Sequence, residues 1–250
     1  MSIPQLNKIY LGDCLKVLKT FDNDSFDDAF TSPPYNRKVG DKYKYYRDNV
    51  SDYYKLLCDV TSELLRVTKH NVIINIQSMV DNKRDVALWY AHFADYIKGR
   101  VIWCKTNPQP GNNERNGLRS VTNAFEDFYV FGKDNTDFVA NQRVANYLLT
   151  PINSKHFEGH GAVMKEEVAD FFIENFTTRG GAVIDPFFGC GTTGVACVHF
   201  KRSYVGIELV EKYKTMAENR IYNETSKQSL FSDSIYENID NYTQESFNFE

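Results

Sequence analysis

Cysteine is scarce in this 250-residue chain: five residues, Cys14, Cys58, Cys104, Cys190 and Cys197, odd in number and without a C-x-x-C pair. That excludes a disulfide framework and a zinc ribbon, and leaves reduced, buried thiols as the expectation. The five histidines, at 70, 92, 156, 160 and 199, lack zinc-ligand spacing, so no metal is expected. No apolar run approaches membrane-spanning length, and MSIPQLNKIYLGD lacks the basic stretch and apolar run of a signal peptide. The expectation is a cytoplasmic protein with no membrane partner. Internal repeats are absent as well.

Strong charge of one sign is also missing, since the formal net charge is only -4. The balance is uneven along the chain. From Ile221 onward Glu224, Asp233, Glu237, Asp240, Glu245 and Glu250 face Lys227 alone, a net of -5, which leaves the remainder near +1. Within it, the stretch Arg37 to Arg47 holds Arg37, Lys38, Lys42, Lys44 and Arg47 against Asp41 alone. Such local basic charge is compatible with a nucleic-acid face.

What is abundant is aromatic: 18 Phe and 16 Tyr bring the aromatic share to 14%. Rings can fill a core or stack on bases. The length suits one α/β core with elaborated loops, expected over 1–222, followed by an acidic, aperiodic tail at 223–250 that composition assigns to partial disorder. Lys8 to Asp13 reads as a short buried strand, and FDDAFTS from Phe26 as a second that ends at Pro33 and Pro34, which cannot continue a ladder. Ser51 can cap a helix through Tyr53, Leu56, Leu57, Val60, Leu64 and Leu65. VIINIQ from Val72 is apolar enough for a buried parallel strand.

A helical stretch over Val86 to Ile97 and the strands RVIWCK and EDFYVFGK follow. After Gly132 the pattern weakens through Asn135 to Glu158. Order returns with a helix over Glu166 to Phe176, a strand ending at Asp185, a helix over Thr193 to Phe200, the strand SYVGIEL and a helix over Val210 to Ile221. The alternation predicts a mainly parallel sheet wound with helices.

Two motifs carry chemistry. VIDPFFGCGTTGVAC puts Asp185 at a strand end, then Phe187, Gly189, Gly191, Thr192, Thr193 and Gly194, before a helix. Glycines let the backbone turn sharply and approach a ligand, and ligands of open parallel sheets bind at such strand ends. Glu208 ends the next strand, where a carboxylate can accept from a ribose diol. Both features fit a nucleoside ligand, including the nicotinamide cofactor of an oxidoreductase. Asp-Pro-Phe before the glycines tilts the choice away from a dinucleotide.

The second motif is TSPPYN, Thr31 to Asn36. With proline at about 5% of residues, a chance Ser-Pro-Pro-Tyr in a chain this long has a probability on the order of one in a thousand. An exocyclic amino group on a base is a poor nucleophile because its lone pair is delocalised into the ring. Acceptors such as the Ser32 hydroxyl and the Pro33 carbonyl can localise that lone pair, Pro34 helps to fix the carbonyl, and Tyr35 offers a ring face to an extruded base.

Together these segments resemble the DNA amino-methyltransferases whose catalytic motif precedes the cofactor motif, the β class, from about Lys8 to Ile221. The resemblance implies a seven-stranded Rossmann-like methyltransferase fold of permuted motif order and S-adenosylmethionine as cofactor. It implies direct transfer to an exocyclic amino group, cytosine N4 ahead of adenine N6. It also assigns Asp13 to the adenine-contacting segment and His160 to the element preceding the methionine-binding part. No Pro-Cys pair occurs, so the nucleophile of a cytosine C5 methyltransferase is missing. Double-stranded DNA is the implied partner. RNA, a homodimer, a cognate restriction endonuclease and a DNA-binding protein without catalysis stay open.

Two loops are candidates for holding DNA. Residues 36–50 interleave Arg37, Lys38, Lys42, Lys44 and Arg47 with Tyr43, Tyr45 and Tyr46, which suits phosphate contacts and stacking. Residues 105–120 offer Lys105, Arg115 and Arg119. A short target-recognition region is expected at 134–158.

Overall fold

The computed structural model describes residues 4–36, 49–108, 114–115, 118–119, 121–133, 140–152 and 163–246; side chains at 114–119 and beyond 228 are outside it. The chain opens with strand β1 (Lys8–Leu11), helix α1 (Cys14–Leu18) and strand β2 (Asp28–Thr31). Helix α2 (Tyr53–Val67), strand β3 (Val72–Ile76) and helix α3 (Lys83–His92) follow. Then come β4 (Ile97–Lys105), a hairpin of β5 (Glu114–Arg115) and β6 (Leu118–Arg119), β7 (Phe125–Phe131) and β8 (Tyr147–Thr150). The last part holds α4 (Glu166–Phe176), β9 (Ala182–Asp185), α5 (Thr192–His199), β10 (Ser203–Glu208) and α6 (Glu211–Ser246).

Eight strands form one sheet in the order β1-β10-β9-β2-β3-β7-β4-β8. β7 runs antiparallel to both neighbours and the remaining pairs are parallel, so the sheet is mainly parallel as the alternation predicted. The expected count of seven is one short. β8 is the addition, a four-residue edge strand beside β4, whose Tyr147 and Leu149 are exposed and whose burial alternation spans too few residues to announce it.

Alternating side chains send strand residues into two cores. Val72, Ile74 and Ile76 of β3 join Leu18, Leu57, Val60, Leu64 and Trp89 under α1, α2 and α3, while Ile73 joins Phe172, Ile173, Val195, Ala217 and Ile221 under α4, α5 and α6. On the second face Phe128 stacks on Phe172 at 3.9 Å between ring centroids, with Phe30 5.5 Å from Phe172. Each fully buried ring contributes about 2–3 kcal/mol. The phenylalanine surplus is thus spent largely on the core.

Two local readings change. The cap of α2 is Asp52, whose side chain accepts from the Lys55 backbone N–H at 3.0 Å, rather than Ser51; the helix starts one residue later than expected. The acidic tail, expected to be partly disordered, continues as helix α6 through Ser246. The chain holds no Pro or Gly after Gly206, so no residue forces an end on a helix already nucleated by the buried Tyr213, Ala217 and Ile221.

Candidate functional site

The chain leaves β9 toward β10 on one side of the sheet and β2 toward β3 on the other, and these two adjacent strands form a topological switch point. Their carboxyl ends carry the two sequence motifs. They are joined directly: the Thr31 hydroxyl donates to Asp185 Oδ1 at 2.6 Å across a sequence separation of 154. Asp185 Oδ1 also accepts from the Phe187 backbone N–H at 3.0 Å, and Oδ2 from the Thr193 hydroxyl at 2.6 Å. The carboxyl is 3% exposed, and burial pushes its pKa up to about 6 against the three hydrogen bonds that favour the anion. Asp185 therefore ties the end of β2, the glycine turn and the start of α5 into one unit.

The turn itself needs glycine. Gly191 sits at φ +84°, and a Cβ there would lie 2.8 Å from the Ala217 Cβ on α6. Gly189 is also left-handed, at φ 54°. Its N–H donates to Glu208 Oε2 at 2.7 Å, while Oε1 accepts from the Val210 N–H at 2.8 Å. Burial raises the Glu208 pKa against these backbone hydrogen bonds. From α6, Arg220 donates to the Cys190 carbonyl at 2.6 Å and to Glu166 at the head of α4 at 2.9 Å, which clamps the turn from behind.

β1 runs beside β10, so Leu11 is level with Glu208 and the Gly12 N–H donates to the Glu208 carbonyl. Asp13 is exposed and caps α1 by accepting from the Lys16 N–H at 3.0 Å. Leu11 and Leu209, 48% and 58% exposed, put apolar surface on either side of the Glu208 strand end. The structure thus brings Asp13, Phe187, Gly189, Gly191, Thr192, Thr193 and Glu208 to one end of the sheet with Ser32, Pro33, Pro34 and Tyr35.

The SPPY segment leaves β2 as an extended loop held by buried amides. Asn82 Nδ2 donates to the Tyr35 carbonyl at 2.8 Å, and Asn36, left-handed at φ 54°, accepts from the Val50 N–H at 2.8 Å through Oδ1. The second bond brings the end of the 36–50 loop back beside Tyr35. Ser32 Oγ lies 3.1 Å from Asn75 Oδ1, and the Tyr35 hydroxyl lies 2.5 Å from the same oxygen and 2.8 Å from Glu126 Oε2.

Lys105, expected among the DNA-contacting residues, is instead enclosed in an ion pair with Glu126 at 2.7 Å, with only 10% of its side chain exposed. It cannot reach a phosphate without leaving a carboxylate behind. Arg115 and Arg119 fall on the β5–β6 hairpin, their side chains outside the described residues, and so do Arg37, Lys38, Lys42, Lys44, Arg47 and His160. Of the 134–158 region, 134–139 and 153–158 lie outside them too, while 140–152 is described and carries β8. Thr31, Asn75, Asn82, Glu126 and Arg220 were not picked out from sequence. The available signal was a polar residue inside an otherwise apolar strand, as Asn75 is in VIINI. Among the described residues no group of three His, Cys, Asp or Glu side chains could hold a metal, and no helix is long and apolar enough to cross a membrane.

The family model for DNA methylases of the N6/N4 type matches residues 26–219, which takes in the SPPY loop, the glycine turn and Glu208. The chain belongs to this DNA methylase family. It is 28% identical to the type II methyltransferase M.SmaI of Serratia marcescens, covering 86% of this chain and 90% of that one. It is also 28% identical to the type II methyltransferase M.HinfI of Haemophilus influenzae, covering 86% and 68%. Among solved structures, the cytosine-N4-specific PvuII DNA methyltransferase superposes with a TM-score of 0.66 at 17% identity, over 88% of this chain and 91% of that one. The M1.HpyAVI–SAM complex does so with 0.63 at 22%, over 85% and 98%. The fold of this methylase is that of the S-adenosylmethionine-dependent DNA methyltransferases.

Proposed function

We propose that this methylase transfers a methyl group from S-adenosylmethionine to the exocyclic amino group of a base flipped out of double-stranded DNA, with cytosine N4 as the target. The observation that carries the reading is the Thr31–Asp185 hydrogen bond, which makes the SPPY loop and the glycine turn one rigid constellation. A cofactor held by one is then delivered to a base held by the other.

The residues fit the cofactor. Glu208 spends one lone pair of each carboxylate oxygen on a backbone N–H and keeps others for a ribose diol. Leu11 and Leu209 offer apolar surface for an adenine ring beside it, and Asp13 stands at the end of the same strand pair. When bound, S-adenosylmethionine supplies an electrophilic methyl on a cationic sulfur. Ser32 Oγ and the Pro33 carbonyl accept the amino hydrogens and localise the nitrogen lone pair, and the Tyr35 ring stacks on the base. No strong base is needed before transfer, because the methylated amino cation is acidic and loses its proton afterwards.

Cytosine N4 is preferred on the serine of Ser-Pro-Pro-Tyr, and a PvuII enzyme named for that specificity shares the fold. Adenine N6 is the second reading, carried by Asn36 after the tyrosine and by the segments WCKTNPQP and NAFED. The test is to expose plasmid DNA to the enzyme and cofactor, digest it to nucleosides and separate them by mass spectrometry. N4-methylcytosine is expected. N6-methyladenine alone would overturn the base, and 5-methylcytosine the direct-transfer chemistry.

A further inference from the structure

Four oxygen atoms crowd the floor of the SPPY loop: Ser32 Oγ, the Tyr35 hydroxyl, Asn75 Oδ1 and Glu126 Oε2. Only two of them, the serine and the tyrosine, carry protons. Asn75 is 1% exposed, and its amide orientation is set by Nδ2 donating to the Asp127 carbonyl at 3.2 Å, so Oδ1 must face the loop. Glu126 is set from its far side by the ion pair of Oε1 with Lys105, whose ammonium also lies 5.4 Å from the Trp103 ring centroid.

The proton count fixes what the loop can present. The acceptors within reach of the Ser32 proton are Asn75 Oδ1 at 3.1 Å and the Tyr35 oxygen at 3.5 Å, both inward, so the outward lone pairs of Ser32 are free to accept. Among the described residues, the Tyr35 hydroxyl lies within reach of the neutral amide oxygen at 2.5 Å and the carboxylate at 2.8 Å. A carboxylate is the stronger acceptor. By drawing the tyrosine proton, Glu126 leaves Asn75 Oδ1 to the serine. Without that carboxylate the tyrosine proton turns to Asn75, whose Oδ1 then takes both hydroxyl protons, one on each lone pair, and the serine bond, at 3.1 Å against 2.5 Å for the tyrosine, is the one that weakens.

We infer that Glu126, held by Lys105, is a positioning residue for methyl transfer: it anchors the Tyr35 hydroxyl and reserves Asn75 for Ser32, so that the loop meets the target amino group with acceptors alone. This rests on the reading of Ser32 and Tyr35 given above and adds to it two charged residues that touch neither the base nor the cofactor. Lys105 earns its place by cancelling a buried charge. Glu126 carries no proton in the scheme and takes none from the substrate.

The test is a double-mutant cycle between Glu126 and the tyrosine hydroxyl. Single-turnover methylation rates stay readable across large losses, and cofactor affinity is measured separately by calorimetry. Glu126→Gln is expected to lower the transfer rate about tenfold, the size of one misdirected site hydrogen bond, with cofactor Kd within about twofold of the parent. In a Tyr35→Phe background the same change should have no further effect, since no tyrosine proton remains to be redirected. Glu126→Gln alone strands the Lys105 ammonium, so Lys105→Met with Glu126→Gln is made alongside it and should lose as much.

A parental rate in the Lys105→Met/Glu126→Gln protein overturns the inference. So does a loss of equal size in the Tyr35→Phe background, or one matched by weaker cofactor binding, which would make the pair a structural support only. Failure of the parent enzyme itself to methylate DNA would instead sink the function proposed above, so the two failures are distinguishable.

Discussion

Replacing Asp185 with asparagine separates the charge of the buried brace from its shape. The carboxyl accepts from Thr31, Phe187 and Thr193 at 3% exposure, and its pKa stands at about 6 against an ordinary 3.8. The difference between those two values corresponds to about 3 kcal/mol. The sign follows from proton uptake. Between the unfolded and folded pKa values the native state binds the extra proton, so this group supports the fold fully below pH 4 and loses that support as pH rises through 6. Asparagine keeps Oδ1 as acceptor for Thr31 and Phe187, offers an amino group to the Thr193 oxygen, and does not titrate. The measurement is urea unfolding of both proteins between about pH 4 and pH 8. The stability of Asp185→Asn relative to the parent should climb by about 3 kcal/mol across that range, whatever constant offset the new amide brings. Other buried carboxyls such as Asp28 and Glu208 titrate in both proteins and cancel. A flat difference would refute the buried, titrating carboxylate and with it the account of the brace. Asp185→Ala is the harsher change. It leaves two hydroxyls and an N–H without their acceptor, at a cost on the order of 4 kcal/mol.

Gly191→Val should cost about 3 kcal/mol or more in thermal or urea unfolding, because it puts a β-branched residue at φ +84° with its Cβ 2.8 Å from that of Ala217. Cofactor binding by calorimetry should disappear with it. Glu208→Gln sets an amino group against one of the two backbone N–H donors at Gly189 and Val210. It should weaken cofactor binding about tenfold or more while the affinity for DNA stays near the parent. Neutralising Lys42, Lys44 and Arg47 together should weaken DNA binding and reduce the log–log salt slope by about 2–3, because fewer counterions are released. An unchanged slope would return these residues to ordinary solvated surface.

Much of the fold was legible because its signals are local and redundant. Glu166 to Phe176 was bounded correctly from its apolar spacing, and β3 and β9 were found as apolar runs ending near polar or glycine residues. β8 was missed because four residues beside β4, with Tyr147 and Leu149 outward, do not differ from loop. The tail was misread for a different reason. Polar composition argued for disorder, yet the continuation of α6 depends on a buried first part and the absence of breakers, a cooperative property that composition does not express.

The site divides along the same line. SPPY and the glycine turn were legible because each imposes a backbone constraint that few residue types satisfy. Their mutual support was not: Thr31 and Asp185 read as the end of one strand and the start of another motif, and only the switch point puts them 2.6 Å apart. Lys105 shows the same limit with the opposite result. In a polar loop beside Arg115 and Arg119 its charge read as affinity for phosphate, but antiparallel pairing of β4 with β7 brings it to Glu126 and turns it inward. A sequence offers a lysine as a charge, and the partner that decides its use lies across the sheet. For that reason the basic residues of 36–50, flanked by the Asn36–Val50 bond and outnumbering the internal acids Asp41 and Asp48 by five to two, are the stronger candidates for the DNA-facing charge, and the salt slope is the measurement that discriminates them from Lys105.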